Sequence, residues 1–491
     1  MANTEKHGGV EYQTVGADYF EKRGLKRHAR VWSLWALGVG AVISGEYFGW
    51  NFGLDAGGFG GLLIATIIVT VMYIGLCYSI AEMSPALPHT GGAYSFGRSA
   101  MGPWGGFITG LGENMEYVIT PAVIVVGIGG YLGAIFETPP EFAPVWWFAS
   151  YVIFVGLNIG GTAISFRFAV LITLVALAVL VVFYVGASSH FSWDNALNIE
   201  PLEGESVWLP KGWLGIFYAL PFAIWFYLAI EELPLAAEES HDPKKDMPKG
   251  IMWGLATLVV AAFLVLFLNS GIAPGAKEVG VSNEPLFLGF QTIFGEGVTA
   301  KIFALIAVAG LIASFHTIIY AYGRNMFSLS RAGYFPKWMS ITHGRRKTPD
   351  YALIWGAVVG YFAAIFIHFS GEIFGEVPVG AVLLNMAVFG AVISYTMQCL
   401  SFVLLRQKLP NIERPYRSPV GEAGAWVALV ISVVVLLFMF LNPAYRVGVI
   451  GMAIWYVFGL GYFAVVSRKR LVRSPEEEFA LRERAKAGLA G

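Results

Sequence analysis

The sequence predicts an all-α integral membrane protein with twelve transmembrane helices and both termini in the cytoplasm. Of its 491 residues, 56% are hydrophobic and only 13% are charged, about half the charged fraction of an ordinary soluble domain. A run of about 20 mostly apolar residues is long enough to cross a bilayer as a helix. Twelve such runs occur, at residues 31–55, 59–84, 104–134, 145–164, 168–189, 213–238, 249–271, 298–329, 351–369, 376–404, 423–442 and 445–467.

The basic residues predict the orientation, because loops on the cytoplasmic side of a membrane carry an excess of Lys and Arg. With the N-terminus inside, only Lys211, Lys277, Lys301 and Arg446 fall on the outer side. The other 28 of the 32 Lys and Arg residues then face the cytoplasm. The predicted location is therefore the cell membrane, with a lipid bilayer around the chain.

Composition also excludes several classes of protein. A net charge of -1 gives no reason to expect a nucleic acid partner. Cys77 and Cys399 both lie inside apolar runs, which excludes a disulfide framework or a Cys-based zinc site as the organising principle. The spans contain no His/Asp metal cluster and no nucleophile–base arrangement, so we expect a protein that is not an enzyme and needs no cofactor. The first 30 residues are polar, and we expect no cleavable signal.

The first apolar run contains an acid near its middle. Gly38, Gly40 and Gly45 weaken the helix, and Glu46 follows Ser44 and Gly45 about 15 residues from the inner end. At about 1.5 Å per residue this is roughly 22 Å into the membrane, well inside a hydrocarbon core of about 30 Å.

The sixth run has a comparable disturbance. It contains Pro221, Glu231, Glu232 and Pro234, and proline removes a backbone donor and disturbs the helical ladder. Interrupted helices at matching positions of two opposite halves indicate a transporter with inverted repeats and a substrate site at the breaks. The alternative is a pair of kinked helices with a structural role only.

Three separated segments resemble the amino acid–polyamine–organocation permeases. These are AEMSPALPHTGGAYSFGRSAMGPWGGF (81–107), WFYLAIEELPLAAEESHDPKKDMPKGI (225–251) and GRNMFSLSRAGYFPKWM (323–339). Within that superfamily, SGEYFGWNFGL and GENMEY (112–117) are most similar to the ethanolamine permease branch.

The resemblance implies a five-plus-five inverted repeat in which helices 1 and 6 are interrupted. It divides the chain into a cytoplasmic tail (1–30), a ten-helix transport core (31–404, with halves 31–189 and 213–404), helices 11 and 12 (423–467) and a second cytoplasmic tail (468–491).

The resemblance also implies a role for Glu46 in the choice of substrate. In the amino acid permeases of this superfamily the break in helix 1 is a Gly-Ser-Gly type segment whose free amides receive the substrate carboxylate. Such amides attract anions. Here Glu46 stands where the family has a small residue. It would fill the carboxylate's space and repel it by roughly 4 kcal/mol at about 4 Å. This favours an amine without a carboxylate, and the alternatives for Glu46 are a helix cap or a salt bridge.

Further acids and aromatic residues complete the predicted site. Glu113 and Glu116 share a helix face, and acids at this depth bind a cation, carry a proton or bond to a neighbouring helix. The resemblance favours a scaffold role for Glu231 at the second break, and Glu232 is left unassigned. Aromatic rings cover small cations. The predicted substrate-binding residues are Ser44, Gly45, Glu46, Glu116, Tyr117, Trp225, Tyr227 and Ala229.

The coupling ion is left open by the residues. Some proton-coupled relatives carry a Lys in helix 5, and the matching position here is Ala176. Protonation of Glu46 or Glu116, a sodium ion between helices 1 and 8, and uncoupled transport are the alternatives, with a preference for protons. Glu113, Glu231, Ser314 and His316 are predicted as proton-handling or scaffold residues, and a packed, hydrogen-bonded His316 is favoured over a relay.

The predicted function is import of ethanolamine or a similar small amine by a secondary transporter. The first alternative is a permease for cationic amino acids, diamines or amino acids in general. A membrane sensor for amines is an alternative from another class, although the short tails contain no recognisable signalling module.

Overall fold

Helices make up most of the protein. The computed structural model describes residues 4–7, 9–87, 91–295, 297–369, 379–442, 445–473, 478 and 482. The start of the predicted run 376–404 and most of the predicted tail 468–491 lie outside these residues.

The longer helices follow the apolar runs. They are α2 (Val31–Val42), α4 (Phe52–Ala86), α5 (Gly92–Phe136), α6 (Ala143–Gly160), α7 (Thr162–Ser188), α9 (Gly212–Trp225), α10 (Pro243–Gly271), α12 (Pro285–Phe294), α13 (Val298–Arg331), α14 (Asp350–Phe369), α15 (Val379–Lys408), α16 (Gly421–Leu441) and α17 (Arg446–Val465). Shorter elements are the hairpin β1 (Thr4–His7) and β2 (Val10–Gln13), the helices α1 (Ala17–Glu21), α3 (Ser44–Tyr47), α8 (Trp193–Ala196) and α11 (Ala276–Val279), and 3-10 segments at Pro140–Phe142, Ile230–Glu239, Lys337–Ser340 and Ser467–Lys469.

Within the described ranges, eleven helical segments are long and apolar enough to cross a membrane. An all-α membrane protein is thereby confirmed. The predicted run 31–55 is not among the eleven, because it does not form one continuous helix. It is distributed over α2, α3 and the first turns of α4. At Gly58 a φ of 71° turns the chain back within α4, a conformation that glycine adopts at little cost.

Both predicted interruptions are present. In the first run the helix is broken between Val42 and Phe52, with only the single turn α3 in between. In the sixth run α9 ends at Trp225, and the chain resumes at Ile230 as a 3-10 segment. Ala229 between them has a φ of 82°, which is uncommon for any residue other than glycine. The second break is therefore a true change of backbone conformation.

Burial divides the helices into a core and a periphery. In α5 and α13, 72% of the residues of the most apolar window are buried, whereas in the segment that contains α17 the share is 11%. α5 packs along α13 and α15, and α4 packs along α9. The two broken segments lie among these buried helices, so the atoms freed by the breaks are enclosed by protein rather than lipid.

The hairpin near the N-terminus packs against residues that follow α17, on one side of the molecule. Leu471 pairs with β2 through hydrogen bonds from Gln13 N to Leu471 O and from Leu471 N to Glu11 O. The β-hairpin was not predicted from the polar tail, because its four-residue strands are stabilised by this distant partner. On the same side, the amides of His28 and Ala29 donate to the backbone carbonyl of Glu239.

Candidate substrate site

The two helix breaks touch each other. A Cβ added to Gly45 would lie 2.4 Å from the carbonyl oxygen of Trp225, closer than real contacts allow. The indole Nε1 of Trp225 donates to the carbonyl of Phe48 at 2.9 Å. Only glycine fits at position 45, because the backbones of the two unwound segments approach directly there. This contact brings together two breaks that lie about 180 residues apart in the sequence.

The backbone freed at the first break is partly satisfied by α13. The amide of Ser44 donates to Ser314 Oγ at 2.8 Å, and this hydroxyl donates to the carbonyl of Gly40 at 2.7 Å. One side chain thus bridges Gly40 and Ser44 at the α2 edge of the break, which is why a polar residue is found deep in α13. Ser314 therefore has a scaffold position, one of the two roles predicted for it.

Glu46 is completely buried, and neither of its carboxylate oxygens has a hydrogen-bond partner in the part of the chain that the structure describes. Its amide donates to the carbonyl of Ile43 at 3.1 Å. The carboxyl makes no described salt bridge and caps no helix. The phenols of Tyr47, Tyr184 and Tyr227 lie within electrostatic range of it. A buried carboxylate without a partner is costly, so this group has unused capacity for a donor.

A second group of acids lies around Glu116. Its Oε1 accepts a hydrogen bond from Tyr395 OH at 3.2 Å, and Tyr395 OH in turn accepts from Tyr73 OH at 2.9 Å. The carboxyl of Glu231 is close enough to that of Glu116 to share a hydrogen bond. Two carboxyl groups this close repel each other when both are charged. The pair therefore joins α5 to the second break.

Glu113 has a different environment. Its Oε2 accepts from Asn325 Nδ2 at 2.9 Å, and its Oε1 accepts from Tyr117 OH and from the amide of Ala93, both at 3.3 Å. Three donors fix this carboxylate and tie α5 to α13, so its place in the structure is that of a scaffold. Tyr117, predicted to bind substrate, is directed to this carboxylate.

Glu231 and Glu232 are also buried, and no described atom makes a well-aligned hydrogen bond to their carboxylates. The amides of Ala229 and Glu231 lie near the Glu231 carboxyl, in agreement with an acid that faces the freed backbone. Glu232 lies near Glu231 and Glu113.

The predicted site residues thus form two groups, which meet where the ring of Tyr227 lies 5.2 Å from the ring of Tyr73. Glu46 lies with Tyr47, Tyr184 and Tyr227, and the groups that act on its carboxyl include none of the other four acids. Ser44 and Gly45 belong to this first group by sequence, and Trp225 and Ala229 line the second break that touches it. Glu116 and Tyr117 belong to the second group. Tyr227 OH is bonded to Thr70 Oγ1 at 2.7 Å.

His316 is held in a closed network. Its Nδ1 faces Asn158 Nδ2 at 3.2 Å, and its Nε2 faces Ser165 Oγ at 2.9 Å. An amide nitrogen only donates, so Nδ1 accepts and Nε2 carries the proton. The favoured expectation of a packed, hydrogen-bonded histidine agrees with this geometry.

Sequence reasoning missed the partners of the acids. Tyr73, Tyr184, Asn325 and Tyr395 were not singled out, because Tyr is frequent in this chain and the helical period alone does not say which phenols face an acid. Asn325 lies in the recognised segment 323–339, which was the one signal that pointed to it.

Nearly the whole chain is similar to known proteins. The amino acid permease family model matches residues 34–472. An uncharacterized transporter of Rhizobium meliloti is 29% identical over 409 residues, which cover 81% of this chain and 83% of the relative. A branched-chain amino acid permease of Bacillus subtilis is 25% identical over 466 residues, 91% of this chain and 94% of the relative. A methylthioribose transporter of the same organism is 25% identical over 476 residues, 91% and 95%. The matches include both broken segments.

Proposed function

The chain belongs to the amino acid permease family, which makes it a membrane transporter rather than an enzyme, and we propose that its substrate is ethanolamine or a similar small amine without a carboxylate. Import by alternating access follows from the same proposal, with one group of helices moving against the other around the two breaks.

The observation that carries the proposal is the carboxylate of Glu46. It lies at the break where related permeases receive a substrate carboxylate on free amides, and both its oxygens are buried without a partner among the described residues. A substrate ammonium or hydroxyl would supply the missing donor. A substrate with its own carboxylate would bring a second negative charge close to Glu46, at a cost of several kcal/mol in a buried site.

The proposal includes a topology. Twelve spans, a five-plus-five inverted repeat and cytoplasmic termini agree with the paired breaks in the first and sixth runs and with the bias of Lys and Arg toward one side. The eleven long apolar helices together with the interrupted run 31–55 would supply the twelve spans.

The proposed coupling ion is a proton held by the Glu116–Glu231 pair. Glu116 and Tyr395 belong to α5 and α15, whereas Glu231 lies at the break of the sixth run. In this proposal the pair connects α5 to the broken sixth run, and the two move apart during alternating access. If the carboxyl groups part, each becomes free to release or bind a proton independently, which would link protonation to conformation.

The second candidate is transport of an amino acid or diamine, and the relatives favour it. One of them is named for branched-chain amino acids. Another is named for methylthioribose, a thio-sugar without a carboxylate, so the similarity spans both kinds of substrate. An amine sensor is the remaining alternative and predicts binding without transport.

Counterflow in proteoliposomes tests these candidates directly. We expect vesicles preloaded with ethanolamine to accumulate labelled ethanolamine, and we expect unlabelled ethanolamine to compete better than putrescine, arginine, alanine or leucine. Accumulation of labelled alanine or leucine without accumulation of ethanolamine would overturn the substrate assignment. Binding of ethanolamine without any counterflow would favour the sensor.

A thermal shift gives an independent measurement. A ligand that binds only the native state at 100 times its Kd stabilises it by about 2.7 kcal/mol. Ethanolamine should therefore raise the melting temperature of the purified protein more than alanine does at equal concentration.

A further inference from the structure

An outer cavity of about 430 Å3 lies on the side of the molecule opposite the termini. It is enclosed by the last turns of α5, the first turns of α6 and α15, the end of α14 and the residues just before α12. The side chains that give it chemical character are Trp147, Asn283, Glu284 and His368. None of these was singled out from the sequence.

The outer cavity leads toward the first helix break. A Cβ added to Gly380, which lines the cavity, would lie 2.9 Å from the ring of Phe48, and one added to Gly127 would lie 2.8 Å from the same ring. Phe48 is buried and follows Glu46 by two residues. Its ring therefore lies between the cavity and the segment that carries Glu46.

The acid in the cavity has no counterion among the described residues. Glu284 makes no described salt bridge, and its Oε2 lies 3.3 Å from the position of a Cβ on Gly130, which also lines the cavity. The nearby Lys301 is paired with Glu137 at 2.5 Å. Glu284 lies in a loop, where burial raises the pKa of its carboxyl to about 7. The group is thus available as an anion at neutral and higher pH.

The wall of the cavity is aromatic. Trp147 is 2% exposed, and its indole Nε1 has no hydrogen-bond partner among the described residues. Its ring makes an edge contact with His368 at a centroid distance of 5.3 Å. Aromatic faces attract ammonium groups, so this wall suits a small cation. An acid and an aromatic wall match a small ammonium ion.

We propose that the outer cavity is a capture site for a small ammonium ion, with Glu284 as the countercharge and Trp147 and His368 as the aromatic wall. This inference rests on the proposed function for the identity of the amine, but the site itself requires no transport. The captured ion waits above Phe48 and passes to Glu46 when that ring moves. Capture raises the local concentration of the substrate close to Glu46.

Equilibrium binding of labelled ethanolamine to the purified protein tests the capture site. We expect two bound molecules per chain in the wild type and one in Glu284→Gln. The half-saturating concentration for uptake should rise about tenfold in this variant, the effect of losing one charged contact, with the maximal rate unchanged. Glu278→Gln removes an exposed acid from α11, six residues before Glu284, and should match the wild type in both assays.

Gly130→Ala is a second variant that preserves the charge. Its methyl group would lie 2.9 Å from Asn283 Cβ and 3.3 Å from Glu284 Oε2, so the cavity narrows and the second molecule should be lost again. One bound molecule in the wild type, or unchanged binding and uptake in both variants, overturns the capture site. Binding that depends on Glu284 without any uptake of ethanolamine would instead uphold the capture site and overturn the proposed function.

Discussion

At the scale of single residues, the proposed substrate depends most on Glu46, whose buried carboxylate has no hydrogen-bond partner among the described residues. Ser44 and Gly45 before an acid indicated a break, and the break is there. The side chain's direction depends on the unwound backbone, for which the helical period gives no rule. Glu46 and Glu116 accordingly have different neighbours, and their two groups meet where the ring of Tyr227 lies 5.2 Å from the ring of Tyr73.

Glu46→Gln tests the role of the first acid. The amide keeps the size of the side chain but loses its charge, so we expect the half-saturating concentration of ethanolamine to rise about 10- to 100-fold, as for loss of a hydrogen bond to a charged group. Uptake into proteoliposomes is the measurement. Glu137→Gln, which alters an exposed acid paired with Lys301, is the control. Near-normal affinity in Glu46→Gln would contradict an electrostatic role.

Glu116→Gln and Glu231→Gln test the second group. Each variant leaves one carboxyl without the acid with which it shares a proton, and we expect uptake driven by a pH gradient to fall to the background rate. Counterflow needs no net proton movement, so it should continue at a comparable rate. Uptake in the presence and absence of a gradient, measured on the same vesicles, separates the two effects. Equal loss of both activities would indicate a structural role.

At the scale of elements, the breaks were predictable because their causes are local. Glycine, proline and acids at membrane depth disrupt a helix whatever surrounds it. Other elements depend on distant partners. The hairpin of β1 and β2 is completed by Leu471, which lies far outside the window that a sequence pattern covers. The start of α5 joins the third run through a bend at Gly102, where φ is 77°.

Gly45→Ala tests the contact between the two breaks. The added methyl group would lie 2.4 Å from the carbonyl of Trp225, so the unwound segments must separate. We expect a drop in melting temperature and loss of uptake, since overpacking of a buried contact costs about 1–3 kcal/mol. The control is Gly156→Ala on the lipid-facing side of α6, where nothing lies within 4 Å. There the substitution should leave uptake unchanged, and comparable damage at both positions would argue against a specific contact.

At the scale of the whole molecule, the two sides differ in how they are closed. The side with the termini is sealed by buried interactions, among them an ion pair between Arg324 and Glu239 at 3.0 Å with both side chains at most 1% exposed. Tyr320 OH also donates to Glu239. The opposite side contains the outer cavity. The sequence shows that Arg324 is basic, but no sequence pattern indicates that Glu239 is its partner.

The closed side offers a way to test alternating access. Ala29 and Ser240 are paired as in neighbouring parallel strands, a spacing of about 4.8 Å between chains that suits a disulfide. We expect Ala29→Cys/Ser240→Cys to lose uptake on oxidation and regain it on reduction, because the cross-link prevents this side of the molecule from opening. Cys77 and Cys399 are both buried, so they should not interfere.

The same cross-linked protein should still bind ethanolamine from the outer side, since neither substitution touches the breaks or the outer cavity. Binding measured by thermal shift in the oxidised state would then persist while uptake is zero. The two single-cysteine variants should transport normally under oxidation. Full uptake by the oxidised double variant would mean that the contact between Ala29 and Ser240 stays closed throughout the cycle. The segment that opens on this side would then be a different one, and the ion pair between Arg324 and Glu239 is the first candidate.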